Sequence, residues 1–413
     1  MNNSSINRFL STLNVVLLFA GYQFFSGMVS LFLGTADESP LVNVGYRGFY
    51  AIVCLLVIAS NYKSKRPRNR LIVSVLFFFW FLLLLRFISD MYFNPSVSVL
   101  PAIRNRTLLY MVVLGLMPMA SIVLSIKSID FDLAFKWITI LISVAIVIVF
   151  FQNFNYESEE IEGMSRASSE GLSSIGTGQL GLTAIVVSFC NLIRGTEKRV
   201  IWKLTFWLVL LLGIIVMLRS GSRGPFLGFV GVGFVWVISK TQKPLIWLPI
   251  LLLCVVFYNQ IFDFVLNVIS YIAPNLSYRF TYKAEIGGQF DNRLYHYLSA
   301  IEAFRDSPII GKQFAIYLPG NEMIYAHNIF LDTIMQLGII GGLLMLTIII
   351  GTLKLVYQLI RQVKSVLWIC LLFVQQLFLL MVSSSLYYTP IFSLCIVLLF
   401  QWDSLRRSSN SLN

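Results

Sequence analysis

Residues 71–90 read "LIVSVLFFFWFLLLLRFISD". From Leu71 to Leu85 the only polar residue is Ser74. A helix of about 20 such residues crosses roughly 30 Å of hydrocarbon. Outward from this run, similar stretches recur near 10–34, 46–62, 71–91, 107–126, 133–151, 175–193, 201–218, 224–239, 245–265, 333–353, 366–386 and 390–403. The pattern predicts an all-α polytopic membrane protein with about twelve transmembrane helices. Composition agrees: 57% of the residues are hydrophobic, 12% are charged and the mean hydropathy is +0.80, against roughly 25% charged in a soluble domain. The first run is too long for a signal-peptide core and carries no small-residue cleavage site, so it is read as a span. Cys54, Cys190, Cys254, Cys370 and Cys395 all fall within expected spans. That placement argues against disulfides, and their spacing suits no metal site.

Charge decides the expected orientation. With the N-terminus inside, the inner segments hold 19 of the 31 Lys and Arg but only 4 of the 19 Asp and Glu, and the outer segments hold 11 and 13. The positive-inside rule therefore selects cytoplasmic termini. The +12 net charge is accounted for by anionic headgroups and calls for no nucleic acid. Three regions follow: a membrane bundle of about nine spans over 1–265, a periplasmic loop over 266–326, and a bundle of about three spans over 327–413.

Two outer segments are long. Residues 152–174 are acidic and rich in Ser and Gly, and the loop of about 60 residues before the tenth span exceeds an ordinary connection, which suggests function. Within it "DNRLYHYLSAIEAFRDSPIIG" (291–311) predicts an amphipathic helix with its apolar stripe at Leu294, Tyr297, Leu298, Ile301 and Phe304. Asp291 or Asn292 would cap it and Pro308 would end it. Such a helix lies on the outer membrane surface or packs over the bundle.

Two motifs at the outer face can carry chemistry. "LRSGSRGPFLG" (218–228) sets Arg219 and Arg223 in a short turn with Gly221, Ser222 and Gly224. Backbone N–H groups of such a turn with a guanidinium suit a phosphate or pyrophosphate; headgroup snorkelling by both arginines is the alternative. "AHNIFLDTIMQLGIIGG" (326–342) puts His327 at the mouth of an apolar helix. His327 is open to three readings: an interfacial hydrogen-bonding residue, a metal ligand or a general base. A lone histidine with distant carboxylates makes a poor ligand set, and His296 has no partner pattern. Imidazole titrates near ~6.5 and accepts a hydroxyl proton at neutral pH. Asn328 and Asp332 share a helical face, so Asp332 either orients the site or caps the helix. Gly338, Gly341 and Gly342 would allow close helix contact. Arg86 and Asp90, four apart, read as an ion pair, and Arg47, Arg104 and Arg106 sit at outer span edges as added positive field or as anchors. No nucleotide-binding glycine pattern is present and no Asp-x-Asp motif stands at the outer face, which leaves a lipid-borne, already activated donor as the natural substrate of an outward-facing transferase.

Taken together, "SGSRGPFLG", the long loop with its 291–311 segment, and His-Asn followed nine residues later by "GIIG" resemble the O-antigen polymerase/O-antigen ligase superfamily of bacterial inner-membrane glycosyltransferases. The resemblance implies metal-independent, cofactor-free, inverting transfer of glycan from undecaprenyl pyrophosphate at the periplasmic face. By motif, Arg223 and Arg293 would bind the donor pyrophosphate, with Ser222, Gly224 and Arg219 around it. His327 would activate or hold the acceptor hydroxyl, supported by Asn328, Asp332, Gly338 and Gly341. Lys312 stands after Gly311 where members often carry a second glycine, which leaves the course of the loop open. The acceptor would be another lipid-linked repeat for a polymerase, toward which the motifs lean, or lipid A–core for a ligase. A chain-length regulator and a flippase would be partners. A lipid-linked-oligosaccharide flippase is the reading from another class; it would show internal repeats and polar broken helices at the midplane.

Overall fold

The computed structural model describes residues 3–410 except 34–43, 64–70, 95, 96, 98, 153, 159–164, 170, 171, 196–198, 242–266, 269, 272–291 and 319–321. The expected span at 245–265, Cys254 and Asp291 lie outside the described residues. α1 (Asn3–Val16) continues through a π-helical turn, Leu17–Gly21, into α2 (Tyr22–Leu33). Next come α3 (Tyr46–Asn61), α4 (Leu71–Ile88) with a π-helical extension Ser89–Phe93, α5 (Pro101–Leu109), a π-helical stretch Tyr110–Leu116, α6 (Met117–Ser125) and α7 (Phe131–Phe151). After β1 (Phe154–Ser158) and β2 (Ser165–Ser169) the chain forms α8 (Ser174–Arg194), α9 (Val200–Arg219) and α10 (Arg223–Lys240). The last part holds α11 (Asn292–Asp306), β3 (Ile316–Leu318), β4 (Glu322–Ile324), α12 (Ile329–Gln362), α13 (Leu367–Val382) and α14 (Pro390–Asn410).

Among the described residues seven helical runs are long and apolar enough to cross a membrane: Ser4–Phe32, Leu71–Phe93, Pro101–Ser128, Phe131–Phe151, Ser174–Arg194, Val200–Arg219 and Ile329–Gln362. The fold is that of an all-α polytopic membrane protein. Two strand pairs were not expected: β1 with β2 in the acidic 152–174 segment, and β3 with β4 just before His327, both antiparallel.

Burial explains which helix goes where. Phe49, Ile52 and Leu55 on α3, Phe78, Phe81 and Leu85 on α4, and Leu204, Trp207 and Leu211 on α9 are exposed. In water such apolar patches would drive association; against lipid tails they cost nothing. α13 is apolar all round and buried from Leu367 to Leu377, as a helix without a polar face must be. It packs on α8, α10, α12 and α14. One of its polar groups, Gln375 Nε2, donates to Thr183 Oγ1 at 2.9 Å. Trp80 Nε1 donates to Ser393 Oγ at 3.0 Å and Asn14 Nδ2 to Ser121 Oγ at 2.8 Å. Cys54, Cys190, Cys370 and Cys395 are free and buried. At the end opposite to the site, Asp130 caps α7 by accepting from Leu133 N–H at 3.0 Å and pairs with Arg8 at 2.6 Å, and Asp132 pairs with Arg194.

α12 is broken. Gly338, at φ 62° and ψ −155°, is the one non-helical residue within it, in a region that essentially only glycine occupies. A side chain there would place Cβ 2.4 Å from the Ile309 carbonyl, and at Gly311 (φ 74°) 2.4 Å from Gln336 C. The two glycines thus let the segment after α11 press backbone to backbone into the break. Lys312 N–H donates to Met335 O at 3.0 Å and Ile339 N–H to Pro308 O at 2.8 Å. Arg86 closes the junction by donating to the carbonyls of Gln336 (2.9 Å), Ile310 (2.6 Å) and Gly311 (2.7 Å). The expected ion pair with Asp90 exists at 3.6 Å, but the carbonyl bonds are the shorter contacts. Asp90 serves the same junction, accepting from Phe314 N–H at 2.5 Å and Tyr317 O–H at 3.0 Å. Gly338 therefore makes a helix break in place of the helix contact read from the sequence. Gly341 faces back across that break toward Leu337 and Thr333.

Candidate active site

The mouth of α12 is built around one strained residue. His327, at φ 58°, is the only non-glycine residue with positive φ among the described residues. The left-handed conformation costs an L-residue roughly 1–2 kcal/mol, so neighbours must hold it. Asn328 is the N-cap, its Oδ1 accepting from Phe330 N–H (3.0 Å) and Leu331 N–H (3.2 Å). Its Nδ2 donates to Met381 O at 3.2 Å, which ties the turn to the end of α13. Asp332, buried one turn along, reaches back to accept from Ala326 N–H at 2.7 Å. That bond holds the turn ahead of the helix, whose N-cap is Asn328. The turn is pinned on both sides of the imidazole, and His327 itself is half-buried.

The ring's neighbours come from three elements. Tyr325 lies 4.3 Å from His327 between ring centres, and His296 of α11 stacks on it at 5.6 Å with 25° between planes. The expectation that His296 lacks a partner is thereby corrected. Of the predicted stripe of α11, Leu294 and Leu298 are exposed at 51% and 57%, while His296, Ala300 and Ala303 on another face are buried. These three also repeat at helical spacing. The small alanines bring α11 against Ile316, Ala326 and Met335, and that close approach delivers His296 to His327. Tyr387 and Tyr388, in the turn between α13 and α14, complete the aromatic wall at 6.4 and 6.1 Å from Tyr325. Burial, then the charge of Asp332 and the neighbouring Tyr388, pushes the Tyr325 phenol up to about 12, with Arg293 opposing. Tyr325 is therefore a hydrogen-bond donor at any physiological pH.

The arginines of the two motifs fall differently. Arg293 stands three residues before His296 on α11, half-buried, and its charge reaches Tyr325. Arg223 is the first residue of α10, directly after the turn Ser220–Ser222, where Gly221 has φ 61° and Ser222 N–H donates to Ser220 Oγ at 3.3 Å. Gly224 lets the start of α10 meet the end of α13, since a Cβ there would lie 2.4 Å from Ser383 Oγ. Arg223 and His327 are thus mounted against the same helix end, one through Gly224 and Ser383 and the other through Asn328 and Met381. Arg219 is exposed and sits over the Phe150 ring at 5.6 Å. Among the described residues no three His, Cys, Asp or Glu side chains group as metal ligands.

A bundle of apolar helices with a strained histidine, two arginine-bearing elements and a tyrosine wall defines a polytopic membrane protein. Residues 208–346 match the family model described as O-Antigen ligase, within the O-antigen polymerase/ligase superfamily that the motifs resemble. The matched stretch runs from α9 through the 220–222 turn, α11 and His327 to just beyond the break in α12. The match supports glycan transfer of the O-antigen polymerase/ligase type in general. No curated protein matches the sequence.

Proposed function

We propose that the protein polymerises a surface polysaccharide of O-antigen type at the periplasmic face of a bacterial inner membrane. It transfers glycan from undecaprenyl pyrophosphate to a sugar hydroxyl on another lipid-linked repeat. The observation that carries this reading is the pinned, left-handed turn that holds His327 against His296, with Arg293 three residues away on the same helix. In the reaction the acceptor oxygen forms a bond to the anomeric carbon, the bond from that carbon to the phosphate oxygen breaks, and the electron pair leaves with the lipid pyrophosphate. His327 takes the acceptor proton. Arg223 and Arg293, with Ser222, Gly224 and Arg219 about the turn, hold the pyrophosphate and stabilise its developing charge without a metal. Asn328 and Asp332 act as positioning residues for His327.

His296 enters this scheme from the structure alone. Its imidazole stacks on that of His327 at 5.6 Å and gives the base a second ring to rest against.

The test is lipopolysaccharide electrophoresis of a deletion strain complemented with His327→Ala, Arg223→Ala or Arg293→Ala. Each variant reaches wild-type membrane levels and yields core plus one repeat unit in place of long chains. Normal long-chain product in the His327 or Arg223 variant overturns the reading. A ligase is the second reading, favoured by the description of the matched family. In that case deletion leaves bare core, and lipid-linked polymer accumulates.

A further inference from the structure

Two cavities meet at Arg47. The inner one, about 230 Å³, is walled in part by Gln23, Gln179, Gln376, Ser384, Tyr388 and Thr389. Gln376 is buried, and neither its Oε1 nor that of Gln23 has a hydrogen-bond partner. Buried amide oxygens without partners cost about 1–3 kcal/mol each, so this wall is made for donors such as hydroxyls. The outer cavity, about 730 Å³, lies between α3 and the 105–114 stretch, within the size range of ligand pockets. Arg47, Asn105 and Arg106 line it together with Val44, Leu109 and Val113, and it has no carboxylate among its described lining residues. Val44 and Leu109 are exposed at 68% and 52%, so its mouth opens on an apolar flank.

Two guanidiniums on one otherwise apolar wall repel each other unless an anion lies between them. Arg47 is held for such a role, its guanidinium 4.1 Å from the centre of the Tyr110 ring. From there ring contacts run without interruption to the candidate active site. Tyr110 meets Tyr388 at 5.6 Å, Tyr388 meets Tyr325 at 6.1 Å, and Tyr325 meets His327 at 4.3 Å.

The geometry points to a second lipid-phosphate site, separate from Arg223 and Arg293. The phosphate end of a lipid-borne glycan sits between Arg47 and Arg106, and its hydrocarbon chain leaves along α3 and α5. Its sugar end passes through the inner cavity toward Tyr388 and His327. That this lipid is the acceptor rests on the proposed function; that the cleft binds a phosphate-bearing amphiphile does not.

Native mass spectrometry of the full chain with undecaprenyl pyrophosphate tests the site. The wild type binds two of these lipids. Arg47→Gln with Arg106→Gln binds one, and Arg223→Gln with Arg293→Gln binds the other. Arg47→Lys with Arg106→Lys retains both, which separates lost charge from lost fold. Unchanged two-lipid binding in the Arg47/Arg106 glutamine variant overturns the site. Displacement of that second lipid by a tenfold excess of phosphatidylglycerol also overturns it, since the cleft would then hold any anionic headgroup. In transfer assays the same variant raises KM for the lipid-linked acceptor about tenfold or more with a smaller change in kcat. Two-lipid binding by a wild type that transfers no glycan leaves the site standing and defeats the proposed function instead.

Discussion

Positions 327 and 338 have nearly the same φ, 58° and 62°, and lie eleven residues apart, one just ahead of α12 and one within it, yet they are filled differently. At 338 the residue is glycine, the backbone of another segment fills the space where a side chain would go, and Arg86 fastens the joint. Strain there is relieved by the absence of a Cβ. At 327 the residue is histidine, and the turn carries a cost that glycine would remove. Strained backbone persists where the surroundings over-determine it and the side chain is needed. The contrast marks 338 as architecture and the imidazole of 327 as chemistry.

The largest effect falls on the architectural position. Gly338→Ala drives Cβ into the Ile309 carbonyl in a conformation alanine avoids. It costs more than about 4 kcal/mol, and the protein does not accumulate in membranes; wild-type levels on immunoblot break the comparison. At the other position, His327→Gly relaxes the turn, so thermal unfolding in detergent shows a Tm equal to or above wild type. Transfer nevertheless falls about 10²–10⁴-fold. Transfer by the glycine variant within a few-fold of wild type would make 327 architectural as well.

Smaller effects sharpen the picture. Arg86→Gln loses the guanidinium bonds to the 310, 311 and 336 carbonyls and lowers stability by about 3 kcal/mol, read as a drop in Tm. The smallest change is Asp130→Ala at the far end of the bundle, where loss of the α7 cap costs about 1 kcal/mol. Leu133 N–H, with help from Arg8, holds the Asp130 carboxyl below its ordinary range. Its contribution is therefore present above the unfolded carboxylate pKa and fades as pH falls through the folded value. The Tm gap between the wild type and Asp130→Ala should close on acidification, and a constant gap would show that the cap works without its charge.

Much of the fold was legible because hydrocarbon selects on one property. Apolar runs such as 71–85 announce a helix long enough to span lipid, whatever their neighbours are. The mouth of α12 was legible in outline, with His327 ahead of an apolar run, and the Ser-Arg-Gly turn advertised a short connection before α10; that Asn328 is the N-cap came from the structure. What α11 packs against was not legible, because its leucines at helical spacing mark only the apolar stripe and not the face that meets the bundle. Beside a membrane, exposed leucine carries little penalty, and close packing goes to alanine. The likeness of Gly338 to a helix-contact glycine failed for a related reason, since a glycine's φ is set by what presses against it.

Sequence alone determined the apolar, helical character of the chain, its charge asymmetry, and the presence of one histidine and two arginines in short motifs. Each of these depends on residues near one another in the chain or on bulk hydropathy. Tertiary structure decided that His296 stacks on His327, that Arg86 locks a broken helix, and that Arg47 stands at the head of a tyrosine path to the site. Those partners lie tens to hundreds of residues apart, and only packing, which fills space without regard to sequence order, brings them together.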